Sequence, residues 1–104
     1  MATGRFNFNT DYRSVAASQT DSLLGTSGRK GDILERLIIN VNTAATSTVS
    51  IKDGSGSAIS VMSATAPVGT YSIEIGARCT DATTPGWRVT TGAGVSVIAV
   101  GQFT

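Results

Sequence analysis

The sequence predicts an all-β domain, a small antiparallel β-sandwich or barrel of seven or eight strands. Short segments of alternating apolar and polar residues recur along the chain, and turns rich in Gly, Pro and Asp separate them about every 8–12 residues. Thr and Val, which favour a pleated sheet, are abundant. The 104 residues leave room for one domain, which we place at 12–104, after an N-terminal arm at 1–11.

The N-terminal arm is polar apart from Phe6 and Phe8, which are two residues apart and therefore face one side of an extended chain. Two aromatic side chains on one face need a surface to cover them. Either the arm is a strand of the protein's own sheet, or it lies on a neighbouring subunit. We predict Phe6, Phe8 and, in the C-terminal tail, Phe103 as contact points for a partner protein.

The domain is predicted to begin with a strand and a loop. Residues 12–18 favour a strand because the neighbouring segments are strand-like, with a short helix as the alternative. Residues 19–31 are rich in glycine towards their end, which predicts a flexible loop. Leu23 and Leu24 are expected to attach this loop to the core.

The segment 31–42 is predicted as a long strand. Alternation gives it one aliphatic face, which we expect to be buried, and one mixed face. A helix is the alternative, because apolar residues also recur there at a 3.6-residue period. The strand is preferred since the segment ends in β-branched residues. The buried face comprises Ile33, Leu37, Ile39 and Val41, and the other comprises Leu34, Arg36, Ile38 and Asn40.

The second half of the domain is predicted to contain a hairpin and three further strands. Residues 46–52 and 59–62 alternate on either side of the Gly-rich link 53–57, which predicts the hairpin. The three strands are 71–79, which passes a bulge near Gly76, then 87–90 and 95–100. The core residues predicted from these segments are Val49, Ile51, Ile59, Val61, Tyr71, Ile73, Ile75, Trp87, Val89, Val95, Val97 and Ala99.

Composition excludes several kinds of active site. The chain has no His, which excludes a histidine base, a histidine metal ligand and a Ser-His-Asp triad. Its single Cys79 excludes an internal disulfide and a multi-cysteine zinc site, and we expect it to be a small core residue. No carboxylate pair stands out, and no glycine-rich segment matches a Walker or EF-hand loop. We therefore expect no enzymatic activity, no cofactor and no metal ion.

Charge and hydropathy argue against two classes of partner. The formal net charge is +1 and only Arg29 and Lys30 are adjacent basic residues, which does not favour nucleic-acid binding. No apolar run approaches the roughly 20 residues that span a bilayer, and the N-terminus lacks the apolar region of a secretory signal. We therefore expect no nucleic-acid partner, no membrane partner and synthesis in a reducing cytosol.

The predicted strand faces that point to solvent carry Ser, Thr and few charges. Such faces suit close lateral packing, and the free edges of a small sandwich can be covered by pairing with neighbouring subunits. These properties, together with the aromatic arm, are typical of a component of an assembled particle and indicate a homo-oligomer.

Three strings of the chain carry a resemblance to a known group: residues 48–57, 69–76 and 86–101. They resemble small accessory virion proteins of tailed bacteriophages, and the resemblance covers the chain from about residue 40 onward. The resemblance implies a cement or head-decoration role, a trimer and a jelly-roll-like fold. The implied partner is a major capsid protein or another virion protein, in a virion assembled in the host cytoplasm.

Two alternatives to this function remain open in the sequence. The first is a tail, neck or fibre component of the virion. The second is a carbohydrate-binding β-sandwich in which Trp87 and Tyr71 stack on a sugar. A core position is preferred for Trp87, because it alternates in phase with Val89.

Overall fold

Two four-stranded antiparallel sheets enclose one hydrophobic core in the computed structural model, which describes residues 11–43 and 47–104. The predicted all-β sandwich is confirmed, and residues 11–15 form a strand. The strands are β1 (Asp11–Val15), β2 (Ser22–Leu23), β3 (Ile33–Val41), β4 (Val49–Asp53), β5 (Ile59–Met62), β6 (Gly69–Arg78), β7 (Trp87–Thr90) and β8 (Val95–Gln102).

The strand order is that of a jelly roll. The first sheet has the order β1-β8-β3-β6 and the second the order β2-β7-β4-β5. The strands of the first half of the chain pair with those of the second half in reverse order: β1 with β8, β2 with β7, β3 with β6 and β4 with β5. This is the pairing of one long hairpin whose strands are divided between two sheets. The two strand orders correspond position by position, so β8 stacks on β7 and β6 on β5, as in a jelly roll.

The core lies between the sheets and is built by alternation along the strands. In β8, for example, every second residue from Val95 to Gly101 is buried. Burial of each larger side chain stabilises the fold by about 1.5–3 kcal/mol before chain entropy is subtracted. The predicted core residues that are buried are Leu37, Ile39, Val41, Val49, Ile51, Trp87, Val89, Val95, Val97 and Ala99.

A β-bulge in β3 corrects the faces predicted for this strand. Leu34 and Arg36 pair with consecutive residues of β8, so Glu35 is an extra residue on β3. The bulge brings Leu34 onto the same face as Leu37, and both are fully buried, whereas Ile33 is half-buried. The assignment of Ile33 to the buried face is therefore wrong, because strict alternation was extended across the bulge.

A second register shift corrects the faces predicted for β5. Met62 pairs with Val49, whereas Ser60 pairs with the next residue of β4, which leaves Val61 as an extra residue. Met62 is therefore buried, although the sequence pattern placed it outside the core. Ile59, predicted as a core residue, is exposed.

The bulge predicted near Gly76 is present in β6. The pairing of β6 with β3 shifts register between Glu74 and Ala77, and the strand continues to Arg78. Gly76 has a φ of 64°, a conformation that residues with a side chain rarely adopt.

A short strand interrupts the loop predicted at 19–31. The two residues of β2 pair with β7, so the loop assignment is wrong at this point. The next residue, Leu24, is fully buried, and its backbone N–H donates a hydrogen bond to the carbonyl oxygen of Trp87 at 2.9 Å. The predicted attachment of the loop through Leu24 is confirmed. Two residues are too few for an alternating pattern to show in the sequence.

Candidate interaction surfaces

The three residues predicted as partner contacts have different outcomes. Phe6 and Phe8 lie outside the residues that the structure describes. Phe103 packs in the core with 8% of its surface exposed. Phe103 therefore belongs to the folded domain, and we leave it out of the surfaces described below.

Trp87 and Tyr71 are both engaged within the domain. Trp87 is buried, as predicted, and its indole Nε1–H donates a hydrogen bond to the carbonyl oxygen of Asp32 at 3.2 Å. Tyr71 is half-buried, and its hydroxyl donates a hydrogen bond to the carbonyl oxygen of Pro67 at 2.7 Å. A sugar would need the exposed face of an aromatic ring, which Trp87 does not offer.

Cys79 is a core residue, as the sequence predicts. Its side chain is buried, and the backbone N–H of Gly86 donates a hydrogen bond to its Sγ at 3.1 Å. Burial raises the pKa of the Cys79 thiol. The thiol therefore stays protonated at neutral pH, which makes it a poor nucleophile.

Two acidic side chains hold the turns at one end of the sandwich. The Asp81 carboxylate accepts hydrogen bonds from the backbone and hydroxyl of Ser55 and from the backbone N–H groups of Thr83 and Thr84. The hydrogen bonds from Thr84, Ser55 and Thr83 lower the pKa of Asp81 well below its usual value. The predicted link 53–57 is thereby tied to the turn before β7.

Asp53 makes the reciprocal connection. Its carboxylate accepts hydrogen bonds from the backbone and hydroxyl of Thr80 and from the backbone N–H of Asp81. Desolvation acts to raise the pKa of Asp53, but these hydrogen bonds and one from Cys79 outweigh it and lower that pKa. Within residues 11–43 and 47–104, no group of three or more His, Cys, Asp or Glu side chains is arranged to hold a metal ion.

A depression of about 230 Å³ lies where the chain enters β1. The Asp32 carboxylate in its lining already accepts hydrogen bonds from the backbone and hydroxyl of Thr104 and from the backbone N–H of Arg29. This carboxylate therefore serves to hold the C-terminal residue. The lining residues are Asp11, Gly31, Asp32, Gln102, Phe103 and Thr104.

An apolar patch lies on the outer face of the first sheet. Tyr12 of β1 is opposite Val100 of β8, and Ile98 of β8 is opposite Ile38 of β3. Ile38, Ile98 and Val100 alternate with buried residues and so point away from the core, and Tyr12 shares their face because directly opposite residues of paired strands lie on one side of the sheet. Tyr12 is 67% exposed and the others are half-buried. We call these four residues the outer-face patch.

Polar side chains surround the outer-face patch. Arg36, opposite Val100, forms an ion pair with Glu74 across β3 and β6, with Nε and Oε1 3.6 Å apart. At the other end of β3, the Thr70 hydroxyl donates a hydrogen bond to the Asn40 side chain at 3.0 Å. The outer face of the second sheet is more polar: Leu23 lies there opposite Arg88, but the other described positions include Ser50, Lys52, Ser60 and Thr90.

The sandwich is open along the side where β5 faces β6. Ile59 lies opposite the buried Ile51 and so faces inward, yet it is 49% exposed. Tyr71 and Ile73 lie opposite fully buried residues of β3, yet both are only half-buried. The reason is that β5 and β6 are the last strands of their sheets and the short β5 covers little of β6. We call Ile59, Tyr71, Ile73 and Ile75 the side opening.

A free backbone edge borders the side opening. β6 pairs with β3 on one side, and no strand of residues 11–43 or 47–104 pairs with its other side. β6 is ten residues long and pairs regularly from Gly69 to Glu74, before the bulge. An unpaired edge of this length presents a row of N–H and C=O groups to which another strand can add.

Neither surface was found from the sequence, and only the outer-face patch left a signal there. Ile38, Ile98 and Val100 are apolar residues at outward positions of alternating strands, which departs from the polar face expected of a solvated sheet. The side opening shows no sequence signal beyond its alternation, because the exposure of Ile59 and Ile73 depends on which strands end the two sheets.

Comparisons of the chain with protein-family models, with curated proteins and with solved structures found no match. No helix within the described residues is long and apolar enough to cross a bilayer. The functional proposal therefore draws on the sequence and the geometry of this chain.

Proposed function

We propose that this chain is a structural virion protein of a tailed bacteriophage, a capsid cement or decoration subunit that forms a trimer and bridges neighbouring capsid subunits. The resemblance of residues 48–57, 69–76 and 86–101 to small accessory virion proteins supports this proposal. The jelly-roll strand order is compatible with it, since viral capsid domains use this fold. The fold alone does not select the function, because lectin domains and cupins share it.

The observation that carries the proposal is the outer-face patch. It has an apolar centre and a polar rim, which is the composition of a protein–protein interface. Tyr12, with its large exposed ring, is the type of residue that anchors such interfaces. The patch spans three hydrogen-bonded strands, β1, β8 and β3. It therefore offers a rigid and shallow surface that suits docking onto another protein.

The mechanism of stabilisation is linkage. A subunit that binds the assembled shell and not its separated parts shifts the equilibrium towards the assembled state. Docking through the outer-face patch would bury Tyr12 and the three aliphatic side chains beside it against the particle. Several patches held in one oligomer would bind with an effective concentration that a single copy lacks.

The carbohydrate-binding alternative has less support in the geometry. Trp87, the side chain on which it depends most, is buried and hydrogen-bonded through its indole. The tail, neck or fibre alternative uses the same surfaces as the head-decoration role, and the experiment below distinguishes them by location.

The test begins with purified virions of the phage whose genome encodes the chain. Mass spectrometry of separated heads and tails should find the chain in the head fraction, in proportion to the capsid protein. Detection in tails alone would replace the cement role by a tail, neck or fibre role. Absence from both fractions would overturn the proposal of a virion protein.

A further inference from the structure

The side opening combines an apolar surface with a free strand edge. Ile59 is 49% exposed and Val68, in the loop that leads into β6, is 64% exposed. A strand added beside β6 would cover both features at once, because its backbone would pair with the edge and every second side chain would face the opening.

The sequence of the N-terminal arm matches what such a strand requires. Phe6 and Phe8 fall on one face of an extended segment, whereas Arg5, Asn7 and Asn9 fall on the other. The segment lacks proline between residues 3 and 10, so each of its N–H groups can pair with a neighbouring strand.

One antiparallel register satisfies both faces of β6. With Phe8 opposite Tyr71, Phe6 falls opposite Ile73, so both aromatic rings cover the side opening. The same register places Arg5 opposite Glu74, whose side chain is 73% exposed on the outer face. Opposite charges across a strand pair are favourable, and the pairing ends before the bulge at Gly76.

The arm of the same copy cannot reach this position. β1 and β6 are the two end strands of the first sheet, three strand spacings apart, so a strand beyond β6 lies about 19 Å from β1. Phe8 is three residues before Asp11, and a fully extended chain spans about 11 Å over that separation. An arm that pairs with β6 in this register therefore comes from another copy.

We infer that the N-terminal arm of one copy of this chain adds as an antiparallel strand to β6 of a second copy, where Phe6 and Phe8 cover the side opening. Each copy donates one arm and accepts one, which is a head-to-tail contact, and such a contact closes into a ring when the rotation between copies is a whole fraction of a turn. The number of copies in the ring rests on the trimer of the proposed function, whereas the arm contact itself does not.

Photo-crosslinking tests the contact directly. Phe8 is replaced by p-benzoylphenylalanine, which keeps an aromatic ring, in a mixture of ¹⁴N- and ¹⁵N-labelled copies of the full chain. The inference expects crosslinked peptides of mixed label that join position 8 to residues 59–75. Crosslinks within one copy, or between copies at another surface, would overturn it.

Complementation of two variants provides an independent test. One variant lacks residues 2–10, and the other carries Ile59→Lys in the side opening. Light scattering should show that each variant is a monomer alone and that the mixture forms a one-to-one dimer. The reason is that the arm of the Ile59→Lys variant can pair with the intact opening of the truncated variant, and no other arm contact remains. Oligomers that persist without residues 2–10 would overturn the inference and indicate pairing between β6 edges.

Tyr12→Lys is the matched control for Ile59→Lys, since both place a charge at an exposed hydrophobic residue of an end strand. It should leave the oligomer intact, with a dissociation constant within about threefold of the unmodified chain, whereas Ile59→Lys should weaken assembly by about tenfold or more. Equal weakening by both variants would contradict the inference. An intact oligomer of the unmodified chain that does not bind particles produced without its gene would contradict the proposed function and leave the arm contact supported.

Discussion

Ile51 and Ile59 lie directly opposite each other on β4 and β5 and face the same side of the sheet, yet Ile51 is 2% exposed and Ile59 is 49% exposed. The difference arises from their places in the sandwich, because β4 is covered by the first sheet whereas β5 is an end strand that faces the side opening. The pair shows where the core ends and an apolar surface begins.

The pair gives the first prediction. Ile51→Ala should lower the free energy of unfolding by about 2–5 kcal/mol, because it leaves a cavity in the core. Ile59→Ala, measured on the monomeric variant that lacks residues 2–10, should cost about 1 kcal/mol or less, since half of this side chain already contacts water. Urea denaturation measures both. Equal losses would contradict the assignment of Ile59 to an open side of the domain.

The bulge at Glu35 gives the second prediction. Leu34→Ala should lower the free energy of unfolding by about 2–5 kcal/mol, because the bulge turns Leu34 into the core. Its neighbour is the matched control: Ile33→Ala should cost about 1 kcal/mol, since Ile33 is half-buried. The reverse order of the two losses in urea denaturation would show that β3 alternates without a bulge.

The hydrogen bonds to Asp81 predict a pH dependence of stability. They lower the pKa of Asp81 in the folded state below its usual value of 3.8, so the stabilisation is fully present above about pH 5 and is lost as the pH falls through the lowered folded-state pKa. Asp81→Asn should be less stable than the unmodified chain at pH 7, and the difference should shrink towards pH 2. Thermal unfolding at a series of pH values measures it. A difference that stays constant down to pH 2 would contradict the role of the ionised carboxylate.

Two glycines with the same backbone conformation give the fourth prediction. Gly54 and Gly76 have φ values of 60° and 64°, but a Cβ at Gly54 would collide with the Thr84 carbonyl oxygen and the Asp81 side chain, whereas a Cβ at Gly76 would meet open space. Gly76→Ala should therefore cost about 1 kcal/mol, from the backbone conformation alone. Gly54→Ala should cost at least about 2 kcal/mol. Similar losses in urea denaturation would exclude the close approach of the two turns.

The strands and much of the core were predictable because alternation is strict where both sheets cover a strand. β8 is the clearest case, since Val95, Val97 and Ala99 are buried in phase. The predicted faces were wrong where a strand contains one extra residue. Glu35 in β3 and Val61 in β5 each shift the residues beyond them to the opposite face of the strand, and nothing in the identity of either residue signals a bulge. The burial of Leu24 was predicted, but its strand was not, because two residues carry no period.

The interaction surfaces were less predictable than the fold. The exposure of Ile59 follows from the order of strands in the two sheets, which alternation along one segment does not contain. The outer-face patch likewise requires Tyr12, Ile38 and Ile98 to meet across strands that are distant in sequence. Phe103 shows the converse, because a tail residue that the sequence left exposed returns to the core.

The central claim is that the outer-face patch docks this chain onto a phage particle. The most direct test adds purified protein to particles produced without its gene and measures the bound fraction by sedimentation. Tyr12→Lys changes the patch, and Ser60→Lys is the control, because it places the same charge at an exposed position on the outer face of the second sheet. We predict that the unmodified chain and Ser60→Lys bind equally and that Tyr12→Lys binds about tenfold more weakly or worse. Equal binding by all three proteins, or no binding by the unmodified chain, would contradict the claim.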